Sequence, residues 1–527
     1  MKKIISLLLA VSMIAVFFAG CGNKKGNSGK TQLVWAMPFY PQTDDAKVLE
    51  EINKELENVM PGTELSFIYD MSMSKKWSLY MAGKQQIDIA HAGFANDLAT
   101  EINKKSYRPL DELIDKYAPT IKKDWEAYSD EFLTGTSGGK LYAIPNVQNQ
   151  VLDTVYLRIP VKVYNLFDVD EFKKLVNSSS ILTEEICVML DKYMDAATAY
   201  IKANPNSGMT NPYIDVEYFY KYFVKRGYEF FSTDSNLCYQ IFPEKDNVEI
   251  VPFNETSAFK TYAKWASTWY KKGYIPQDVL TGMSTSGRTC MLFASIADFN
   301  LHDSNSDGII GPDESPIISD PDYYIVGATP NSQKYRGCSV IGSQLTYNTI
   351  PTTAKYPEKA MQLLELLRTE KGKKLLNLII YGIEGKHYSK TGDDTIKAIG
   401  YEGTQGTSSS PYGKAGWMVS NMMSNQYIIE PFTADSRDIA NKYLTETAKS
   451  FYKTPICGMQ VDNAKITNEL SQISAVLKEY ELQITGGVSE NYESIMSDMK
   501  NKMASAGLDT VKKDYQKQVK DYIKSKK

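Results

Sequence analysis

The sequence contains few of the residues from which metal centres and hydrolase sites are most often built. Only three of its 527 residues are histidine, so a zinc enzyme or a Ser-His-Asp hydrolase would have few side chains to draw on. The six cysteines are widely spaced and include no C-x-x-C pair. That spacing excludes a dense disulfide framework and a cysteine zinc site. One or two disulfides and buried free thiols both remain compatible with it.

The sequence also lacks clustered positive charge and, beyond its N-terminus, any long apolar run. Lys and Arg number 59 against 63 Asp and Glu, and the formal net charge is −4. Because nucleic acids are bound through clustered basic residues, these interspersed charges predict no nucleic-acid partner. No later apolar run reaches the ~20 residues of a membrane helix. A nucleophile elbow and a phosphate-binding glycine loop are absent as well.

The N-terminus predicts a lipoprotein signal peptide. Two lysines precede an apolar run over residues 4–18, which leads into Phe18-Ala19-Gly20-Cys21. A basic start, a short apolar core and small residues before a cysteine are typical of a cleaved secretory signal with a lipobox. We expect residues 1–20 to be removed and Cys21 to carry the lipid that anchors the protein on the extracytoplasmic face of the cell membrane. An ordinary signal peptide or a single membrane helix is the alternative.

Residues 21–32 comprise this cysteine and a polar, glycine-containing segment with nothing to bury, which we predict to be a flexible tether. The folded body begins near Leu33. Its length indicates two or more domains with enough apolar residues for a core, so folding requires neither a disulfide nor a metal.

The first part of the body alternates strand and helix patterns. We predict strands at residues 33–36, 64–69 and 87–90, and helices at 44–60 and 77–85. This order predicts a parallel sheet with helices on both faces. Ligands of such sheets bind beyond the carboxyl ends of the strands. Residues 37–43, 70–74 and 91–96 would therefore share one functional edge.

The remainder predicts a second lobe and a return to the first. We predict a crossing strand at 154–158, helices at 183–203 and 262–272, and strands at 325–330 and 338–341 that would bring the chain back. Gly273 would end the second of these helices. We expect the first lobe to comprise residues 33–150, the second 151–325, and residues 326–527 to return to the first lobe and add a helical C-terminal region shared between the lobes. Such a layout can close on a ligand by hinge motion.

Several segments resemble family 1 extracellular solute-binding lipoproteins of ABC importers, in the branch with a DUF3502-type C-terminal region. They are YPEKAMQLL at 356–364, LNLIIYGIEGKHY at 376–388, LYAIP at 141–145, WYKKGYI at 269–275 and residues 506–518. The resemblance implies an α/β, two-lobed periplasmic-binding-protein-like fold, in which each lobe is a sheet flanked by helices and hinge strands join the lobes. It also implies an importer as partner. Residues 290–317 depart from the family pattern.

That departing stretch contains a predicted calcium loop. Residues 303–314 match D-x-[DN]-x-[DN]-G-x₅-E, the EF-hand pattern. Gly308 would allow the sharp turn, and we expect a structural Ca²⁺ held at the ligand positions Asp303, Asn305, Asp307, Ile309 and Glu314. A polar surface loop is the alternative.

Candidate ligand-binding residues lie at the predicted edge and where the chain leaves the first lobe. Aromatic rings cover the apolar faces of sugars, and amides and carboxylates form forked hydrogen bonds with hydroxyl groups. For each candidate the alternative is core packing or a cap or turn role, which we expect for Trp265, Trp269 and the helix N-cap Asp44. The candidates are Trp35, Tyr40, Asp70, His91, Asn96, Asn146, Gln148 and Trp417.

Together these features predict a monomeric, lipid-anchored binding protein without catalytic residues. It would capture a small solute, a sugar or short oligosaccharide, for an ABC importer. A surface glycosidase, whose paired carboxylates need no short motif, and a calcium-stabilised adhesin are the alternatives.

Overall fold

The computed structural model describes most of the folded body. Cys21, Gln148 and the five predicted calcium ligands lie outside the residues described. The described residues are 29–93, 96–147, 155–166, 168–179, 181–232, 234–241, 247–282, 286–296, 323–326, 346–400, 409–430, 437–438, 441, 445, 454–489 and 491–526.

The strands, numbered in chain order, are β1 (Thr31–Met37), β2 (Thr63–Tyr69), β3 (Ile89–Ala92), β4 (Thr136–Ser137), β5 (Lys140–Leu141), β6 (Ala143–Pro145), β7 (Val155–Pro160), β8 (Pro212–Ile214), β9 (Tyr228–Phe230), β10 (Leu237–Gln240), β11 (Val251–Pro252), β12 (Thr289–Ile296), β13 (Tyr323–Val326), β14 (Tyr347–Thr349), β15 (Tyr388–Lys390), β16 (Thr395–Ala398) and β17 (Ile428–Ile429).

The α-helices are α1 (Asp45–Val59), α2 (Met73–Ala82), α3 (Leu98–Asn103), α4 (Asp111–Tyr117), α5 (Pro119–Ala127), α6 (Ser129–Leu133), α7 (Val169–Ser178), α8 (Glu184–Ala203), α9 (Val216–Tyr218), α10 (Ser257–Lys272), α11 (Pro357–Leu366), α12 (Lys373–Tyr381), α13 (Gly416–Val419), α14 (Thr467–Thr485), α15 (Tyr492–Ser505) and α16 (Leu508–Ser525). A π-helical turn, Phe219–Val224, continues α9.

The first lobe is built on a sheet with the strand order β2-β1-β3-β14-β6. β1 pairs in parallel with β2 and β3, as the sequence predicted, whereas β14 is antiparallel to both β3 and β6. Apolar residues recur every four positions along α1, and Val48, Ile52 and Leu56 are buried in the core of this lobe. This periodicity explains why the segment is a helix packed on the sheet.

Two predicted elements in this lobe are displaced along the chain. The second helix begins at Met73 rather than 77, because the carboxylate of Asp70 accepts the Ser72 N–H at 2.8 Å and turns the chain directly after β2. It ends at Ala82, two residues before Lys84 adopts a φ of 48°. Strand β3 spans Ile89–Ala92 rather than 87–90, so His91 lies inside the strand and not beyond it.

The second lobe contains a sheet with the order β13-β7-β12-β8. β7 is antiparallel to β12 and β13, and β8 is parallel to β12. The hydroxyl of Thr256 accepts the N–H of Phe259 at 3.3 Å and starts α10 five residues before the predicted position. Gly273 ends this helix with φ at +80°, as predicted, since a left-handed residue after a helix favours glycine.

The C-terminal helices α14, α15 and α16 belong to the core of the second lobe. Leu477, Met503 and Tyr515 are buried in the same cluster as Trp269 of α10. The preceding segment also contacts the first lobe, because the side-chain amide of Gln460 donates to the carbonyl of Thr134 at 2.5 Å. Residues 456–460 therefore contact both lobes, because Ile456 and Met459 belong to the core of the second lobe.

The cysteines divide between the two alternatives that the sequence left open. Cys187, Cys238 and Cys290 are free thiols, and burial raises the pKa of each. Cys457 is disulfide-bonded. Within the described part of the chain, no helix has both the length and the apolar character needed to cross a bilayer.

Candidate functional site

The carboxyl ends of β1 and β2 meet at one edge of the first lobe. Met37 is paired with Tyr69 in the parallel register, and the N–H of Asp70 donates to the carbonyl of Met37 at 3.1 Å. The loops that follow the two strands therefore leave the sheet side by side. Since ligands of parallel sheets bind beyond this edge, it forms the first half of the candidate site.

Lys414 fixes the loop that follows β1. Its side chain is only 1% exposed, and its ammonium donates to the side-chain oxygens of Gln42 and Asp45, each at 2.8 Å. The same ammonium lies 4.1 Å from the centre of the Tyr69 ring, a cation–π contact. Burial lowers the pKa of Lys414, against the opposing effect of Asp45. The anchored loop presents Tyr40 with 55% of its surface exposed.

Asp70 is held in place by three hydrogen bonds. Besides the Ser72 N–H, it accepts from Lys76 Nζ at 2.8 Å and from the Tyr80 hydroxyl at 2.9 Å. Burial opposes ionisation of Asp70, but these donors outweigh it and lower its pKa. The carboxylate is therefore ionised and already engaged, which gives Asp70 a defined role at the helix start besides its predicted contact with a solute.

Trp35, His91 and Asn96 are interior residues in this conformation. Their exposed fractions are 0%, 0% and 4%. Trp35 packs against Phe67, with ring centroids 6.0 Å apart. Burial lowers the pKa of His91 to about 3, so its imidazole is neutral at physiological pH. Any contact of these three side chains with a solute, as predicted from the sequence, would require the surrounding structure to open.

Asn146 and Trp417 belong to one hydrogen-bond network, joined through the Thr346 hydroxyl. Asn146 follows β6 and accepts from the side-chain amide of Asn348 in β14 at 2.9 Å. That amide also donates to the carbonyl of Val419, and the Thr346 hydroxyl donates to the carbonyl of Trp417 at 2.5 Å. Asn146 is fully buried, whereas Trp417 is half-buried at the end of this network. The network ties the two crossing points to the 416–419 helix.

Asp44 does not act as the predicted helix cap. It occupies the N-cap position of α1, but its side chain makes no capping hydrogen bond. Its carboxylate contacts Lys386 at 2.6 Å, Lys47 at 2.9 Å and the Nε2 atom of His387 at 3.2 Å. These three donors, with Lys386 the strongest, lower the pKa of Asp44. The ion pairs compete successfully with the backbone N–H groups for the carboxylate.

The turn that carries part of the family resemblance has a packing role. Gly382 ends α12 with φ at +78°, and a Cβ there would lie 2.5 Å from Nδ1 of His387. The N–H of Ile383 donates to that nitrogen at 2.9 Å. Only glycine permits this close approach, which places the His387 ring beside Asp44.

Sequence reasoning missed Lys414 and the Asp44–His387 pair. Neither belongs to a local motif, because the partners are separated by 369 and 343 residues. Trp265 and Trp269, by contrast, pack in the second lobe as predicted, with ring centroids 5.9 Å apart. Among the described residues, no group of three or more His, Cys, Asp or Glu side chains could hold a metal ion.

Comparison with known proteins identifies relatives along the whole chain. Residues 455–524 match DUF3502, a domain of unknown function. A carbohydrate ABC transporter substrate-binding protein of Streptococcus pneumoniae serotype 4 (strain ATCC BAA-334 / TIGR4) is 24% identical over 543 residues, which span 100% of this chain and 99% of the relative.

Solved structures show the same fold. The N-glycan transport solute-binding protein of S. pneumoniae has a TM-score of 0.66 at 20% identity, covering 94% of this chain and 100% of its own; its complex with Man5GlcNAc has a TM-score of 0.56 at 19% identity over the same shares. The S. pneumoniae substrate-binding protein FusA, as an EF-hand mutant in complex with fructo-nystose, has a TM-score of 0.55 at 14% identity, covering 93% and 99%. These matches confirm the predicted resemblance: the chain has the two-lobed fold of solute-binding proteins and ends in a DUF3502 region.

Proposed function

We propose that the protein is an extracytoplasmic binding protein that captures an oligosaccharide and delivers it to an ABC importer. The observation that carries this proposal is the full-length match to a carbohydrate ABC transporter substrate-binding protein, which includes both lobes and the C-terminal region. A relative that matched one lobe alone would support a shared fold but not a shared mode of binding.

The geometry of the first lobe supports the same function. Tyr40 is exposed at the carboxyl edge of the sheet, on a loop that Lys414 holds rigid. A pre-positioned ring of this kind covers the apolar face of a sugar at little cost in side-chain entropy. Half-buried Trp417 supplies a second aromatic surface near the crossing segments, and the buried amide network around Asn146 holds the 416–419 helix in place.

A thermal-shift and calorimetry screen tests this proposal. The mature protein is titrated with Man5GlcNAc, Man1GlcNAc, kestose and fructo-nystose, with tri- and tetrapeptides as the control class. A ligand that binds only the folded state raises the thermal midpoint in proportion to ln(1 + [L]/Kd). We expect saturable binding of at least one glycan, at one site per chain, and recovery of that glycan unchanged. Binding of peptides alone would overturn the proposal.

Recovery of the glycan unchanged also separates solute capture from the glycosidase alternative, which predicts cleaved products over hours. The adhesin alternative predicts no closure of the lobes. For a binding protein we expect a smaller radius of gyration in solution scattering when the glycan is added, because hinge closure brings the two lobes together.

The lipid anchor on Cys21 and the calcium loop at 303–314 belong to the same proposal. The pattern of residues 1–21 supports the anchor. The EF-hand spacing supports the ion, as does a relative of the same fold that is described with an EF-hand. Calcium would stabilise the second lobe without taking part in solute capture.

A further inference from the structure

The second lobe carries a stacked pair of tyrosines, one of them exposed, on an unusual helical turn. Tyr218 ends α9 and Tyr222 lies in the π-helical turn Phe219–Val224 that continues it. Their ring centroids are 5.9 Å apart with an angle of 22° between the rings. Tyr218 is 46% exposed and Tyr222 is half-buried behind it. Short π-helical turns occur frequently at functional sites.

The opposite face of this turn explains why the pair is rigid. Phe219, Tyr220 and Phe223 are buried in the core of the second lobe, and the turn packs against β12 and β7. Lys221 lies on the outer side, with its ammonium 5.0 Å from the centre of the Tyr222 ring. The core residues fix the backbone, and the offset stack restrains the ring of Tyr218.

The strand directions indicate that this turn lies toward the edge of the second lobe nearer the first. In sequence, β7 follows the first part of the first lobe. The amino end of β7 therefore marks the edge of the second lobe that is nearer the first lobe, called the near edge below. β12 runs antiparallel to β7, with Ile296 opposite Val155. β8 is parallel to β12 and runs directly into α9. The carboxyl ends of β8 and β12 therefore point toward this near edge, and the helical turn begins at the carboxyl end of β8.

We propose that Tyr218, backed by Tyr222, is the second lobe's stacking surface for a pyranose or furanose ring of the bound oligosaccharide. The inference rests on the proposed function and assigns that site a residue from the second lobe. The exposed ring is amphipathic, so its face covers sugar C–H groups while its hydroxyl stays solvated. When the lobes close, Tyr40 of the first lobe and Tyr218 of the second would contact the same glycan.

Substitutions at Tyr218 test the inference with the best-bound glycan of the four named above as probe. We expect Tyr218→Ala to weaken binding about ten-fold, the size of a lost aromatic stack, and Tyr222→Ala to weaken it by a few-fold. Tyr218→Phe keeps the ring and should bind within two-fold of the parent protein. Because Tyr218 is exposed, the thermal midpoint of Tyr218→Ala without glycan should equal that of the parent protein. An unchanged midpoint separates a lost contact with the glycan from a loss of folding.

Tyr356→Ala is the matched control. Tyr356 is a 39% exposed tyrosine of the first lobe, next to Asp88 at the amino end of β3, on the edge opposite the site. Tyr356→Ala should bind the glycan as tightly as the parent protein does. If the parent protein binds a glycan and Tyr218→Ala binds it equally well, this inference is wrong and the proposed function stands. If the parent protein binds none of the four, both are overturned.

Discussion

At the residue scale, the neutral imidazole of His91 makes stability depend on pH. Burial lowers the pKa of His91 from 6.5 to about 3 in the folded protein. Between these values the unfolded chain binds a proton that the folded protein does not bind. The contribution of His91 is therefore fully present above pH 6.5 and is lost progressively as the pH falls toward 3.

His91→Gln removes this titration and keeps a polar side chain of similar size. We expect the free energy of unfolding of the parent protein to fall more steeply between pH 6.5 and pH 4.5 than that of the variant, by about 1.4 kcal/mol per pH unit, the limit for one proton. Urea unfolding at each pH measures both slopes. His387 is present in both proteins, so its contribution cancels. Parallel slopes would show that His91 binds its proton equally well in the folded and unfolded states.

At the element scale, the loop at 303–314 is predicted to stabilise the second lobe through calcium. Glu314 would supply two oxygens that close the coordination shell, and Gly308 would permit the sharp turn of the loop. With the ~10⁻⁴–10⁻³ M dissociation constants typical of extracellular modules, calcium at about 1 mM would add roughly 0.4–1.4 kcal/mol of stability. EGTA should therefore lower the thermal midpoint of the parent protein and leave that of Glu314→Ala unchanged.

Asp313→Ala is the matched control for this loop, because position 313 is not a ligand position of the EF-hand pattern. It should respond to EGTA as the parent protein does. Glycan affinity should change little in either variant, since the ion is predicted to be structural. An equal response of Glu314→Ala and the parent protein to EGTA would contradict the calcium prediction.

At the scale of the whole molecule, Cys21 is predicted to be the point of membrane attachment. Cys21→Ser removes the thiol that would carry the lipid, and we expect the variant to leave the membrane fraction while it still unfolds at the midpoint of the parent protein. Fractionation after a high-salt wash measures this, because the wash removes proteins held only by charge. Cys290→Ser should stay with the membrane. Retention of Cys21→Ser would contradict the lipoprotein prediction.

The sequence by itself determined the local elements of this protein. Apolar residues four apart in α1 and Gly273 after α10 act within a few residues of chain, whereas the Thr256 cap before α10 was local but not predicted. Alternation of strands and helices was likewise enough to predict the parallel pairing of β1, β2 and β3, since this connectivity allows few other sheets. Periodicity, capping and turn chemistry are local, so they can be inferred from the order of residues.

The tertiary structure alone decided which side chains meet at the candidate site. Asp44 was predicted to cap a helix, but Lys386 and His387, more than 340 residues away in sequence, bind its carboxylate instead. Lys414 reaches Asp45 across a similar separation. Contacts of this kind depend on packing between distant segments, for which a single sequence contains no periodic or local pattern.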